Sequence, residues 1–286
     1  MSDSPESAVG ASLRRMRENG VTPNRELGQN FLIDANLLDV VANAADVCSS
    51  DTVLEVGGGL GILSEHLAER AGYLHVVEVD RRLEAPLVEA VAPFDNVSLH
   101  FGDVLELDLS ELDPPPNKLV ANLPYGIAAP LLLSSIEQLP ECQVWVSMVQ
   151  REVGERLAAA PGSRTYGVPS AIAQSSCDVE IVRRVSRNVF RPVPHVDSVI
   201  VRLKRNGAAP PREVRDLIHA AFAHRRKALA RSLALAPNPA EGVRDRARAA
   251  LATMGLPEDS RAERLSAADF AKLAELLAAS KPGVSG

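Results

Sequence analysis

Hydrophobic and polar positions between residue 34 and residue 149 follow two alternating periods. Short, nearly continuous apolar runs at Thr52–Val56, Leu74–Val79, Val97–Phe101, Lys118–Ala121 and Gln143–Val149 read as strands. Stretches with helical spacing, at Ala35–Ala45, Leu60–Arg70, Arg82–Val91 and Ala128–Gln138, separate them. Apolar strands alternating with helices are what a mostly parallel sheet covered on both faces requires, so the pattern predicts an α/β fold made of βαβ units. A further helix around Glu152–Ala159 and two more strand-like runs, Val179–Val185 and Ser198–Leu203, follow. The segment Arg205-Asn206-Gly207-Ala208-Ala209-Pro210-Pro211 interrupts both helix and sheet, and from Arg212 onward the pattern is helical. The expected organisation is a flexible N-terminal tail over residues 1–20, a main domain over 21–205 and a small all-helical domain over 206–286.

Composition narrows the setting. The 286 residues contain no apolar run long enough to span a bilayer, and Met1-Ser2-Asp3-Ser4-Pro5-Glu6 lacks a secretory pattern, which places the chain in the cytoplasm with no membrane partner. Cys48, Cys142 and Cys177 are odd in number and far apart, so they read as buried thiols rather than a disulfide framework. The six histidines show no metal-ligand spacing, and no metal is expected. The formal charge of −6 argues against a nucleic-acid partner until its distribution is considered. Residues 51–120 carry 14 acidic and 4 basic side chains, whereas 181–231 carry 13 basic and 3 acidic ones, so an acidic molecule can still present a basic surface.

The strongest local signal is Val53-Leu54-Glu55-Val56-Gly57-Gly58-Gly59-Leu60-Gly61, a buried strand entering a glycine-rich turn and then a helix. Such a turn lets a ligand approach the backbone closely, and a nucleotide-like ligand is expected. The nicotinamide fingerprint fails, because Gly57-x-Gly59 is followed by Ile62 and Gly59-x-Gly61 by Ser64. The pattern instead resembles the first motif of S-adenosylmethionine methyltransferases. A ribose-binding fold should end its second strand in a carboxylate about 20 positions on, and Glu78 meets that expectation, with Asp80 the better candidate for a helix cap. Gly102-Asp103-Val104 places another carboxylate, with an apolar neighbour, after the third strand. The fourth strand ends in Asn122-Leu123-Pro124-Tyr125, which resembles the signature of enzymes that methylate amino groups of bases. An adenine amine is a poor nucleophile because its lone pair is delocalised. Two acceptors, the Asn122 side-chain oxygen and the Leu123 carbonyl, could hold its N–H bonds while Pro124 fixes the turn and Tyr125 stacks on a flipped base.

Across nearly its whole length the chain resembles the ribosomal RNA adenine dimethyltransferases of the KsgA type. Leu27-Gly28-Gln29-Asn30-Phe31-Leu32, Val149-Gln150-Arg151-Glu152-Val153, Phe190-Arg191-Pro192-Val193-Pro194-His195-Val196-Asp197-Ser198 and Phe222-Ala223-His224-Arg225-Arg226-Lys227-Ala228-Leu229 carry the resemblance beyond the motifs above. It implies a Rossmann-like S-adenosylmethionine methyltransferase domain with a small helical domain after it. It further implies cofactor contacts at Asn30, Leu32, Gly57, Gly59, Gly61, Glu78, Asp103, Val104 and Asn122. Phe190 would be a second aromatic bordering the target base, and Arg225, Arg226 and Lys227, on an arginine-rich helix, would meet RNA. The implied reaction is dimethylation of two adjacent adenosines near the 3′ end of 16S rRNA in the immature small subunit, by a monomer. The large-subunit adenine methyltransferases that confer macrolide resistance are a close alternative; the glycine before Gln29-Asn30-Phe31 and the 222–229 segment favour the small-subunit enzymes. Two departures are visible: Gly58 stands where the family usually has Pro, and Ala228 where Thr is common.

Overall fold

The computed structural model describes residues 8–24 and 26–280; the expectations for residues 1–7 lie outside them. In chain order the elements begin with α1 (Ala8–Glu18), β1 (Phe31–Leu32), α2 (Ala35–Ala45), β2 (Thr52–Val56), α3 (Ile62–Ala68) and β3 (Tyr73–Glu78). Next come α4 (Glu84–Val91), β4 (Val97–Phe101), β5 (Lys118–Asn122), α5 (Ala128–Gln138), β6 (Val144–Gln150), α6 (Arg151–Leu157) and α7 (Val168–Ala173). The chain continues through β7 (Cys177–Val185), β8 (Phe190–Arg191), β9 (Ser198–Arg205), α8 (Arg212–Ala223), α9 (Leu229–Ala234), α10 (Val243–Thr253) and α11 (Ala267–Ala279).

One compact unit is built from the residues up to Gly154 together with Val179–Arg205. Its seven-stranded sheet has the order β4-β3-β2-β5-β6-β9-β7. The first five strands are parallel and β9 runs antiparallel to β6. Val53, Leu54, Leu74, Val76, Leu119, Val120, Trp145 and Val146 are fully buried, which is why these strands read as unbroken apolar runs. Trp145 satisfies its indole N–H by donating to Ser135 Oγ on α5 at 2.9 Å. From β2 the chain steps outward to β3 and β4, then returns to the other flank of β2 as β5. That reversal opens a crevice at the carboxyl ends of β2 and β5, where open α/β sheets bind ligands.

Residues 8–18, expected to belong to a flexible tail, form helix α1. Arg15 anchors it: the side chain is 6% exposed and makes two hydrogen bonds to the Glu65 carboxylate, with a third to the Leu60 carbonyl at 3.3 Å. Met16 and Val21 pack on a small cluster of Phe31, Leu60 and Leu83. The polar composition conceals this anchoring, because one of the three arginines of α1 is buried against a carboxylate 50 positions away.

The second unit combines Glu155–Asp178 with the residues from Asn206 onward. The boundary expected at residue 205 therefore holds on one side only, because the stretch Glu155–Asp178, placed by its sequence position with the sheet, is grouped with the C-terminal helices. Aromatic contacts explain this grouping. Tyr166, Phe222 and Phe270 stack in series, with ring centroids 6.1 and 6.0 Å apart, and Tyr166 and Phe270 are fully buried. Of the cysteines, Cys142 and Cys177 are buried as expected, but Cys48 is exposed in the turn after α2.

Candidate active site

A cavity of about 420 Å³ opens at the carboxyl ends of β2, β3, β4 and β5. Its wall includes Gly57 and Gly59 after β2, Glu78 at the end of β3, Gly102, Asp103 and Val104 after β4, and Asn122 to Tyr125 from β5 onward. Residues Glu26 to Phe31 close one side. Four motifs that are far apart in sequence thus meet around one space.

The glycine turn shapes the floor. Gly57 and Gly59 adopt φ of 82° and 60°, a region that side chains rarely tolerate, and their backbone is left bare toward the cavity. Gly61, expected to touch the ligand, does not line the cavity; it lets α3 pack on α4, because a Cβ there would overlap that of Ala90.

Glu78 is 4% exposed. Its Oε2 accepts from the Gly59 amide at 2.9 Å and its Oε1 from the Asp80 amide at 2.9 Å. Each oxygen retains a second lone pair for a ligand hydroxyl. Burial pushes the Glu78 carboxyl above its ordinary range, against the pull of the amides of Asp80 and Gly59. Asp80 caps the turn that follows, as expected, by accepting from the Arg82 amide. The Arg82 guanidinium holds the Asp80 carboxyl down at about 2.

Gln29 was not singled out from sequence, yet its Nε2 donates to Asp80 Oδ2 at 2.8 Å and ties the 26–31 segment to the end of β3. A long polar side chain between Gly28 and Asn30 is the only sequence trace of that role. Asn30 folds back on the Gly28 carbonyl at 2.8 Å, and its own carbonyl accepts from Asn122 Nδ2 at 3.3 Å. This bond occupies the Asn122 amide nitrogen and leaves Oδ1 as the acceptor on offer. Tyr125 is half-buried, and its hydroxyl pairs with Ser198 Oγ at 3.1 Å, a partner that the motif did not reveal.

Besides Gly61, two further expected residues are not brought to the cavity. Phe190 is 1% exposed and sits in the core of the unit, because the antiparallel pairing of β8 with β1, Leu32 opposite Phe190, turns its ring inward. Leu32 is buried with it and lines only a narrow cleft of about 40 Å³ beneath the glycine turn. In the second unit, Arg225, Arg226 and Lys227 lie on the turn between α8 and α9 rather than on a helix. Arg226 is exposed, while Arg225 pairs with Glu263 at 3.0 Å and donates to the Arg164 carbonyl at 2.5 Å. Among the described residues no three of His, Cys, Asp or Glu converge as a metal site would require.

The cavity fits S-adenosylmethionine on its own chemistry. It offers bare backbone at Gly57 and Gly59, a buried carboxylate on the second strand, and a carboxylate beside the apolar wall of Val104, which is 4% exposed. Residues 20–279 match the ribosomal RNA adenine dimethylase family. The chain is 45% identical to the ribosomal RNA small subunit methyltransferase A of Rubrobacter xylanophilus, over 88% of this chain and 94% of that one. It is 41% identical to the protein of the same name from Thermobifida fusca, over 93% and 94%. The structure resembles a dimethyladenosine transferase from Plasmodium falciparum, with a TM-score of 0.71 and 26% identity over 85% of this chain and 95% of that one. It also resembles the 23S rRNA methyltransferase ErmE, with a TM-score of 0.66 and 26% identity over 87% and 100%. The chain belongs to the ribosomal RNA adenine dimethylase family of S-adenosylmethionine-dependent methyltransferases.

Proposed function

We propose that this protein methylates N6 of two adjacent adenosines near the 3′ end of 16S rRNA, twice each, in a small ribosomal subunit still being assembled. The observation that carries the reading is the convergence of Glu78, Asp103 and the glycine turn with Asn122 to Tyr125 around one cavity. Donor-binding and acceptor-binding groups come from a single chain, so the reading needs no second copy, and an rRNA substrate in assembly puts the reaction in the cytoplasm. Among the described residues no helix is long and apolar enough to cross a membrane.

S-adenosylmethionine supplies a methyl group made electrophilic by its sulfonium. Glu78 accepts hydrogen bonds from the ribose, Asp103 from the adenine amine, and Val104 packs on the adenine ring. Asn30 sets the orientation of Asn122, as the bond from Asn122 Nδ2 supports. Asn122 Oδ1 and the Leu123 carbonyl take the two N–H bonds of the target amine, leaving its lone pair facing the methyl group, while Tyr125 stacks on the base. No general base is assigned, since the methylated amine is acidic enough to lose its proton to water. Phe190 acts by packing behind this wall. Arg226 and Lys227 contact RNA phosphates, and Arg225 braces their turn through Glu263.

The test offers labelled cofactor to unmodified small subunits, large subunits and duplex DNA at one salt concentration. Dimethyladenosine in the small-subunit RNA alone is the expected product. Preferential labelling of either other substrate overturns the reading.

A further inference from the structure

Close to the cavity wall lies a cluster of arginines to which the reading above gives no role. β7 is the outer strand of the sheet, and Glu180 to Arg184 along it are all exposed, so neither face is covered there. The segment that follows, Ser186–Asp197, is tied to the cavity wall at two points. Midway along it Arg191, in β8, pairs with Phe31, which lines the cavity; just past its end Ser198 holds the Tyr125 hydroxyl at 3.1 Å. Within it, Arg187 donates from its backbone to Asp197 Oδ1 and from its guanidinium to the His195 carbonyl, each at 3.2 Å.

This stretch presents Arg183, Arg184, Arg187 and Arg191, all exposed. None of the four guanidiniums meets a carboxylate among the described residues. The acids nearby are already engaged: Glu180 pairs with Arg202 at 2.5 Å, and Asp197 receives the Arg187 amide. Val193 and Val196, 51% and 45% exposed, stand among them. Arginines serving only to keep an edge strand from pairing would need no position relative to the cavity. Here two of them lie on the segment that meets the cavity wall at Phe31 and, through Ser198, at Tyr125. A base drawn out of its strand drags its own backbone phosphates to the rim of the pocket, and those phosphates require cations.

The geometry points to this surface as the seat of the sugar–phosphate backbone flanking the target adenosine, with Arg187 and Arg191 next to the flipped nucleotide, Arg183 and Arg184 further along the strand, and the two valines against ribose or base faces. The inference rests on the RNA substrate of the proposed function and adds the surface that positions it.

The experiment compares wild type, a quadruple variant with Arg183, Arg184, Arg187 and Arg191 each changed to Ala, and a second quadruple variant with each changed to Lys. The probes are a fluorescent single-stranded RNA of about 12 nucleotides containing two adjacent adenosines and unmodified small subunits; affinity is read across a salt series. Each phosphate left without its arginine should flatten the plot of log affinity against log salt by about 0.7 for a single strand, so the Ala variant should lose about 2 to 3 from its slope. The Lys variant should recover most of it. S-adenosylmethionine affinity and melting temperature should match wild type, and the loss of methyl transfer should fall on KM for RNA rather than on kcat. A slope equal to wild type in the Ala variant overturns the surface while leaving the proposed function standing. So does a drop in affinity for subunits with none for the RNA strand, which would assign the surface to a ribosomal protein. Failure of wild type to label RNA at all would instead remove the proposed function itself.

Discussion

The backbone amide of Gly59 donates to the Glu78 carboxylate at 2.9 Å, so the turn after the first strand and the carboxylate after the second are one hydrogen-bonded unit. Glu78 therefore shapes the floor of the cavity as well as lining its wall. Glu78→Ala should weaken S-adenosylmethionine binding by roughly 2–3 kcal/mol, the order of a lost charge-assisted bond, with RNA affinity nearly unchanged. Burial raises the Glu78 carboxyl above its ordinary value of 4.5. Cofactor affinity should accordingly fall as pH is lowered, beginning at a higher pH than a solvent-exposed carboxylate would give. Calorimetric titration between pH 5 and 8 checks both; equal affinity in the variant would sink the assignment.

For Asn122 the loss should appear in the chemical step. On the proposed reading Asn122→Ala removes the acceptor that orients the target amine, so single-turnover methyl transfer should slow by roughly 100-fold or more while RNA affinity changes little. Tyr125→Phe deletes only the bond to Ser198 and should cost about 1 kcal/mol or less in the same assay. A normal chemical step in Asn122→Ala would contradict its role.

Glu55 offers a pH test of stability. It is 1% exposed, lies beneath the glycine turn, and its Oε2 has no partner among the described residues. Burial pushes its carboxyl up to about 8, partly offset by the Ser64 hydroxyl and assisted by Glu78. The folded protein therefore holds a proton that the unfolded chain releases near 4.5, and stability from this group is lost as pH rises from about 4.5 to about 8. Glu55→Gln should flatten that decline and be more stable than wild type at pH 8 by roughly 2–4 kcal/mol. Urea denaturation at pH 5, 6.5 and 8 decides it; parallel profiles would show that the carboxyl is ionised throughout.

Gly58 stands between the two bare glycines of the turn after β2. An added Cβ would lie 2.5 Å from Val76 Cγ1 and 3.0 Å from Leu87 Cδ2. Gly58→Ala should destabilise by about 1–3 kcal/mol through overpacking, and Val76→Ala in the same chain should recover part of that loss. Denaturation midpoints of the two single variants and the double complete the cycle, and strict additivity would rule out the clash.

On the turn between α8 and α9, neighbouring arginines should behave differently. Arg225→Ala loses a partly exposed ion pair with Glu263 and should lower stability by about 1 kcal/mol or less. Arg226→Ala should leave melting unchanged but reduce the salt dependence of RNA binding. Identical behaviour of the two would refute this division.

The fold was legible where local pattern and tertiary role coincide. Val53, Leu54, Leu74 and Leu119 are buried on both faces of a parallel sheet, so their strands announce themselves in any window of five residues. The candidate site was legible for the same reason: Gly57, Glu78, Asp103 and Asn122 each stand at or just past the end of a strand, and strand ends in this topology converge. What escaped depends on partners far away in the chain. Arg15 is a helix anchor only because of Glu65, Tyr166 belongs with the C-terminal helices only because of Phe222, and Phe190 faces inward only because β8 pairs with β1. No local periodicity encodes such pairings.

The position of β9 also bears on how the chain must be made. It fits between β6 and β7, yet β6 ends at Gln150 and β9 begins at Ser198, with a segment of the other unit emerging from the ribosome in between. Until Arg205 has been synthesised, the Val144–Gln150 edge has no neighbour on that side, and it is an apolar edge of the kind that captures foreign strands. The vulnerable interval of biosynthesis is therefore set by the wait for one late antiparallel strand, so slowing translation between residues 150 and 205 should reduce the soluble yield more than slowing it anywhere earlier.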